Sequence, residues 1–248
     1  GKTLVELGKL NKDIVVLDAD LSSSTRTNLF AKEFPERFFN FGVAEQNMMA
    51  CAAGLAASGK TVFLSTFAIF ASGRAWDQVR NSICYNNFNV KIVATHAGIS
   101  VGPDGASHQA LEDMALMRVI PNMNILVPCD GPQTAEAIKT AALTKGPFYI
   151  RLGRPKVPTL ENKGNFEFGK AQVLTQGDDI AIAACGIMVA EALIAVESLA
   201  KKGIKARLIN VHTLRPLDNE TILKAARETR GIIVCEEHTI IGGLASSI

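Results

Sequence analysis

The stretch "VKIVATHAGISVGPDGASHQALEDMALMRVI", Val90 to Ile120, sets a strand, a polar loop and a helix end to end. "VKIVA" opens it with β-branched and aliphatic residues on both sides of one lysine, which reads as a strand. The loop that follows carries His96, Asp104 and His108, with glycines that allow turns other side chains resist. "QALEDMALMRVI" then places apolar residues at helical spacing. A strand apolar on both faces, leading through a loop into a helix, is the building unit of a parallel sheet covered by helices.

The same alternation runs outward from it. "DIVVLDAD" (13–20), "RFFNFGV" (37–43), "TVFLSTF" (61–67), "VKIVATH" (90–96), "NILVPCD" (124–130) and "PFYIRL" (147–152) read as strands. "AEQNMMACAAGLAASG" and "AIFASGRAWDQVRNSICYNN" are the clearest helices between them. The fold class is therefore α/β. Across "GRPKVPTLENKGNFEFG" (153–169) the pattern breaks into Pro, Gly, Asn and charge, the mark of a linker. A second series follows, "DDIAIAACG", a helix over 187–202, "KARLINVH", a helix over 219–229, and "GIIVCEEH". "GGLASSI" closes the sequence and reads as a helix just starting. Three strands alone leave an edge unpaired, so this second unit reads as incomplete. The expected division is a first domain over 1–155, a linker over 156–168 and a second α/β three-layer domain over 169–248.

Composition narrows the classes of function. The 248 residues are 48% hydrophobic and 20% charged, enough chain for a sizeable core in one large or two medium units. A formal net charge of +2, without a basic run, gives no reason to expect nucleic acid. The apolar runs are too short or too interrupted to span a bilayer, and no signal-like segment is seen. The five cysteines, Cys51, Cys84, Cys129, Cys185 and Cys235, are scattered and odd in number. They form no CxxC pair and no zinc-ligand spacing, so buried free thiols in a reducing cytoplasm are expected.

In open parallel sheets, ligands collect beyond the carboxyl ends of the strands. "DADLSSSTRT", "STF" and the histidine loop all fall at such ends, and Arg151 and Arg154 lie just past the last strand of the first domain. Each residue has an ordinary explanation when taken alone. Glu45 favours the first turn of a helix, although apolar neighbours (Val43, Ala44, Met48, Met49) would suit its carboxyl to proton transfer. Phe67 and Phe70 pack like core residues, or offer a flat wall to a heteroaromatic ring. Asp104 suits a tight turn, Ser22 to Ser24 suit the cap of a helix beginning near Thr25, and His96 and His108 need only backbone partners. Gathered on one edge of one sheet, they point to a shared site.

"DADLSSST", "FGVAEQNMMACAAGLA", "STFAIFASGRAWDQVR", "ATHAGISVGPDGASHQALEDMALMR", "PNMNILVPCDG" and "YIRLGRP" resemble, in order and spacing, the pyrimidine-binding half of transketolase. "TLRPLD" and "VCEEHTIIGG" resemble its C-terminal domain, so the likeness spans nearly the whole chain. It implies a thiamine-diphosphate-binding domain of pyrimidine type, followed by the transketolase C-terminal domain. It further implies that Glu45 bonds a ring nitrogen of the cofactor's aminopyrimidine and is catalytic. Phe67 and Phe70 would flank that ring, and Asp20 would lie near the thiazolium. His108, also catalytic, and Asp104 would contact the donor sugar. Ser24, His96 and Arg154 would hold its phosphate, as charged and hydroxyl donors can.

The family's diphosphate and metal motif, GDG followed by an asparagine, does not occur in the sequence. "GDD" at 177–179 stands before a strand of the second unit, the wrong context for it. A family arginine that contacts phosphate falls just upstream of the first residue. The resemblance thus implies one half of a split transketolase acting on sugar phosphates in the pentose phosphate pathway. An N-terminal subunit would supply the diphosphate site and its Mg2+ or Ca2+, and a second copy of this chain would complete a heterotetramer. No metal ligand is expected in this chain. Three alternatives stand beside it: a deoxyxylulose-phosphate synthase, a 2-oxoacid dehydrogenase β subunit, and a non-catalytic partner. His96 and "GRP" at 153–155 favour transketolase over the first two.

Overall fold

The computed structural model describes residues 1–161 and 164–248; positions 162–163 of the expected linker lie outside the described residues. In chain order the first part comprises α1 (Lys2–Leu10), β1 (Ile14–Asp18), α2 (Ser22–Thr25), α3 (Asn28–Glu33), β2 (Phe38–Asn40) and α4 (Glu45–Ala57). Then come β3 (Thr61–Phe67), β4 (Val90–Thr95), α5 (Asp113–Arg118), β5 (Asn124–Leu126), α6 (Gly131–Leu143) and β6 (Phe148–Arg151). The second part comprises β7 (Gln172–Val173), β8 (Ile180–Ala184), α7 (Met188–Ala200), β9 (Ala206–Asn210), β10 (Thr213–Arg215), α8 (Asn219–Glu228) and β11 (Ile232–Cys235).

Two sheets result, a seven-stranded one ordered β10-β5-β6-β4-β3-β1-β2 and a four-stranded one ordered β11-β8-β9-β7. Pairing within the first is parallel except at β10. Its central strands β1, β3, β4 and β6 are buried along their whole length, as apolar runs covered on both faces require. One apolar cluster contains Met48, Met49 and Ile92 from the first part and Ala183, Ile209 and Leu244 from the second. Both parts therefore share a core. No described helix is long and apolar enough to cross a membrane.

Several elements differ from the sequence reading. The strand expected over 37–43 shortens to Phe38–Asn40, a half-exposed edge, and that expected over 124–130 shortens to Asn124–Leu126. The long helix after β3 is largely π-helical, over Phe70–Arg74 and Gln78–Cys84. The helix after the histidine loop is confined to Asp113–Arg118. Ser22 to Ser24 do not cap a helix starting near Thr25; they begin one that ends there. "TLR" leaves the second series altogether and pairs antiparallel with β5 at the edge of the first sheet. The second sheet gains β7, just after the linker, which pairs antiparallel with β9 and covers one edge. "GGLASSI" forms turns rather than a helix. All five cysteines are free thiols, three of them buried.

His212 sits where β9 hands over to β10, its carbonyl accepting from the Val127 amide at 2.8 Å. Its ring is wholly buried, 4.4 Å from Phe166 between centroids. Burial pushes the imidazole down from 6.5 to about 4, with the charge of Asp218 opposing only in part. Between those values the unfolded chain takes up a proton that the folded chain refuses. Stability is therefore fully present above pH 6.5 and falls as the pH drops toward 4, by about 3 kcal/mol at most. Urea titrations from pH 7.5 to 4 should show a flatter profile for His212→Gln. Superimposable slopes for the two proteins would remove His212 from the account.

Candidate active site

Strands β6, β4, β3 and β1 are neighbours, and their carboxyl ends open on one edge of the sheet. Phe67 ends β3 and is 6% exposed. The π-helical turn that follows carries Phe70, whose ring lies 6.1 Å from that of Phe67 at an interplanar angle of 13°. His96, just past β4, stacks on Phe67 at 3.8 Å and 21°. His108 meets both phenylalanines edge-on, at 6.2 and 5.4 Å. Four of the rings singled out in the sequence thus form one aromatic box.

Glu45 opens α4, where the helix dipole favours a carboxylate. Its side chain is only 1% exposed, and both oxygens accept from Nη1 of Arg74, at 3.2 and 3.1 Å. The Arg74 guanidinium also lies over the Phe70 ring, 4.7 Å from its centroid, a favourable cation–π placement. Arg74 was not singled out in the sequence. One signal for it existed: a lone cation four positions after Phe70, in a segment otherwise reading as core. Positions four apart share a helical face, and here they lie in a π-helical turn, a feature frequent at functional sites.

Behind the box stands a second polar group. Asp104 Oδ2 lies 4.0 Å from His96 Nε2 and 3.5 Å from Arg154 Nε. His96 also holds Thr95 Oγ1 at 3.0 Å through Nδ1. Burial lowers the affinity of this imidazole for a proton, opposed by Asp104 and reinforced by Arg154 and His108. Its backbone φ of +58° is a left-handed conformation uncommon outside glycine, a local strain of the kind that clusters at working sites. Two short 3₁₀ turns, Gly102–Asp104 and Ala106–His108, present Asp104 and His108. Gly102 suits the turn beneath them, since its φ of +69° favours glycine and a methyl there would push on the Arg154 guanidinium from 2.8 Å. At Gly98 a side chain would overlap the carboxylate of Glu237, which accepts from the Ser100 amide at 3.1 Å. The second part of the chain thus anchors this loop.

Seven expected site residues therefore join in one continuous group: Glu45, Phe67, Phe70, His96, Asp104, His108 and Arg154. Asp20 and Ser24 lie on the same sheet edge without touching it. Asp20, at φ +63°, is tied to Asn40, and Ser24 is exposed on α2, which packs against β3. Their loop is shaped by Asp18, which accepts from the Leu21 amide and the Thr25 and Thr27 hydroxyls. Burial raises the proton affinity of Asp18 despite those three bonds. Arg151 does not line the rim as its position after a strand suggested. It lies within β6, is buried, and pairs with Asp113 through two bonds of 2.8 and 3.1 Å. Among the described residues no three or more His, Cys, Asp or Glu side chains converge as metal ligands.

Two family models match the chain: the transketolase pyrimidine binding domain over residues 1–159 and the transketolase C-terminal domain over residues 169–248. A Methanocaldococcus jannaschii protein, provisionally named a transketolase C-terminal section, is 52% identical and is matched over 100% of this chain and 78% of its own length. The 6-deoxy-6-sulfo-D-fructose transketolase subunit of a Clostridium strain is 43% identical over 98% of this chain and 76% of that protein. Among solved structures, a split-gene transketolase described as an inactive beta4 tetramer superposes with a TM-score of 0.91 at 55% identity, covering 99% of this chain and 81% of that one. Pyrimidine-type and C-terminal folds, in this order and over nearly every residue, make the chain a member of the transketolase family.

Proposed function

We propose that this chain is the pyrimidine-side subunit of a split, thiamine-diphosphate-dependent transketolase that moves a two-carbon ketol unit from a ketose phosphate to an aldose phosphate, as in the pentose phosphate pathway. The observation that carries the reading is the buried Glu45 carboxyl beside the parallel Phe67 and Phe70 rings. A flat apolar wall ending in a carboxyl suits an aminopyrimidine, so the residues present fit the ring half of the cofactor. Bound there, the cofactor supplies the nucleophilic carbon for breaking and remaking the donor's carbon–carbon bond. Phe67 and Phe70 hold the ring, and Glu45 holds or moves a proton at a ring nitrogen. His108 and Asp104 orient the donor's hydroxyls. Arg154, His96 and Ser24 grip its anionic end, far from the reacting carbon, where binding energy can be used for orientation. Asp20 faces the thiazolium side.

The reading assigns the diphosphate and its Mg2+ or Ca2+ to an N-terminal partner subunit. A second copy of this chain completes the assembly, in the cytoplasm, and the units divide near residues 155 and 169. Support comes from relatives that are themselves named as subunits or as products of split genes. The sulfosugar specificity in the name of the Clostridium relative favours a second reading, a donor whose remote anion is a sulfonate. Arg154 would serve either anion.

The test is to combine the chain with a family N-terminal subunit, thiamine diphosphate and Mg2+. Ketol transfer from xylulose 5-phosphate to ribose 5-phosphate is then followed beside carbon dioxide release from pyruvate. Transfer without decarboxylation is expected, and the chain alone should show neither. Decarboxylation without transfer would move the chain to a pyruvate-using class, and transfer by the chain alone would end the split-enzyme reading.

A further inference from the structure

The contact between Arg74 and Glu45 stands where the proposed function places a ring. Glu45 is buried, with both of its oxygens on one guanidinium nitrogen. That guanidinium also rests on Phe70, half of the aromatic wall. A guanidinium only donates, so it satisfies a bare carboxylate and has no acceptor to offer a protonated one. A ring nitrogen sharing a proton with Glu45 asks for the opposite: one carboxyl oxygen released from the cation and turned to the ring. The two arrangements compete for the same oxygens. The arginine is free to yield, since 48% of its side chain is exposed while Glu45 is fixed in the first turn of α4.

We propose that Arg74 is a positioning residue that stands in for the aminopyrimidine in the unloaded chain and is displaced from Glu45 when the ring binds. The inference rests on the thiamine-diphosphate reading. It gives the buried carboxylate a partner while the pocket lacks its ligand, because an uncompensated charge there is costly. It also keeps the wall beside Phe70 covered. Displacement subtracts from cofactor affinity, so affinity and the stability of the unloaded chain are set against each other at one side chain.

The test uses the assembled two-subunit protein and measures thiamine diphosphate binding by calorimetry, with thermal unfolding of the unloaded chain as a second readout. Arg74→Gln should bind the cofactor about two- to fivefold more tightly, the range expected for losing a half-exposed ion pair, and should unfold at a lower temperature when unloaded. Arg74→Lys should fall between. In a Glu45→Gln background the gain from Arg74→Gln should vanish, because an amide offers no charge to hold the guanidinium. A merely structural arginine would shift affinity equally in both backgrounds. Weaker or unchanged binding by Arg74→Gln overturns the proposal while leaving the cofactor reading intact. Absence of cofactor binding by the unaltered assembly overturns both.

Discussion

Glu45→Gln is expected to fold as the unaltered chain does and, in the assembled enzyme, to turn over about 10²–10⁴ times more slowly, the usual worth of a placed acid or base. The fold should survive because the side chain keeps its shape, and the partner left behind, Arg74, is half exposed and can turn to water. Activity should not survive, because an amide can neither hold nor return a proton at a ring nitrogen. Circular dichroism would check the fold, and steady-state ketol transfer would check the rate. If cofactor binding persists while kcat falls, the loss belongs to proton handling rather than to occupancy of the site. A rate within about twofold of normal, under half a kcal/mol of barrier, would leave Glu45 as a helix-end charge and nothing more.

How far the sequence reveals this site depends on what each residue answers to. Phe67 ends a strand, and His96 and Arg154 follow strands, whose apolar runs are written plainly, so their place on one sheet edge could be read in advance. Asp104 and His108 sit in a loop whose glycines announce its turns. Arg74 was hidden for a physical reason. Its spacing from Phe70 puts the two on one helical face, but its partner Glu45 lies on another helix 29 residues earlier, which no local period reveals. Strand β10 was hidden by distance: "TLR" carries no sign that its hydrogen-bond partner is β5, about ninety residues earlier. The contacts of Asp20 and Ser24 stay local because Asp18, buried and saturated with bonds, decides the shape of their turn. Asp18 itself stood in the "DADLSSSTRT" cluster with nothing to mark it as the residue that shapes the turn.

Arg151 shows the same limit in the core, and its partner carries the other large expected effect. An arginine beside a strand end looks like a rim cation, yet here it is an internal fastener. Asp113, wholly buried, takes two bonds from the Arg151 guanidinium and a third, of 2.7 Å, from the Tyr149 hydroxyl. Burial alone would weaken the charge on Arg151, but the Asp113 carboxylate outweighs it and keeps the guanidinium firmly protonated. Burial, with the charge of Asp113, likewise holds the Tyr149 hydroxyl well above the usual phenol range. From this position Arg151 donates to the carbonyls of Ala110, at the exit of the histidine loop, and of Glu237, in the second part of the chain. Asp113→Ala would strand a buried guanidinium and a buried hydroxyl together, and breaking such a pair from one side costs about 3–5 kcal/mol. Removing both charges with Asp113→Leu and Arg151→Met should cost less, because nothing is then left charged and unpaired. Urea unfolding of the three proteins at pH 7.5 decides the matter. Should the single replacement prove no worse than the double, the pair would be a passive filling of the core, and the anchoring of the loop would have to come from other contacts, such as Glu237 with the Ser100 amide and the Thr239 amide with the Leu111 carbonyl.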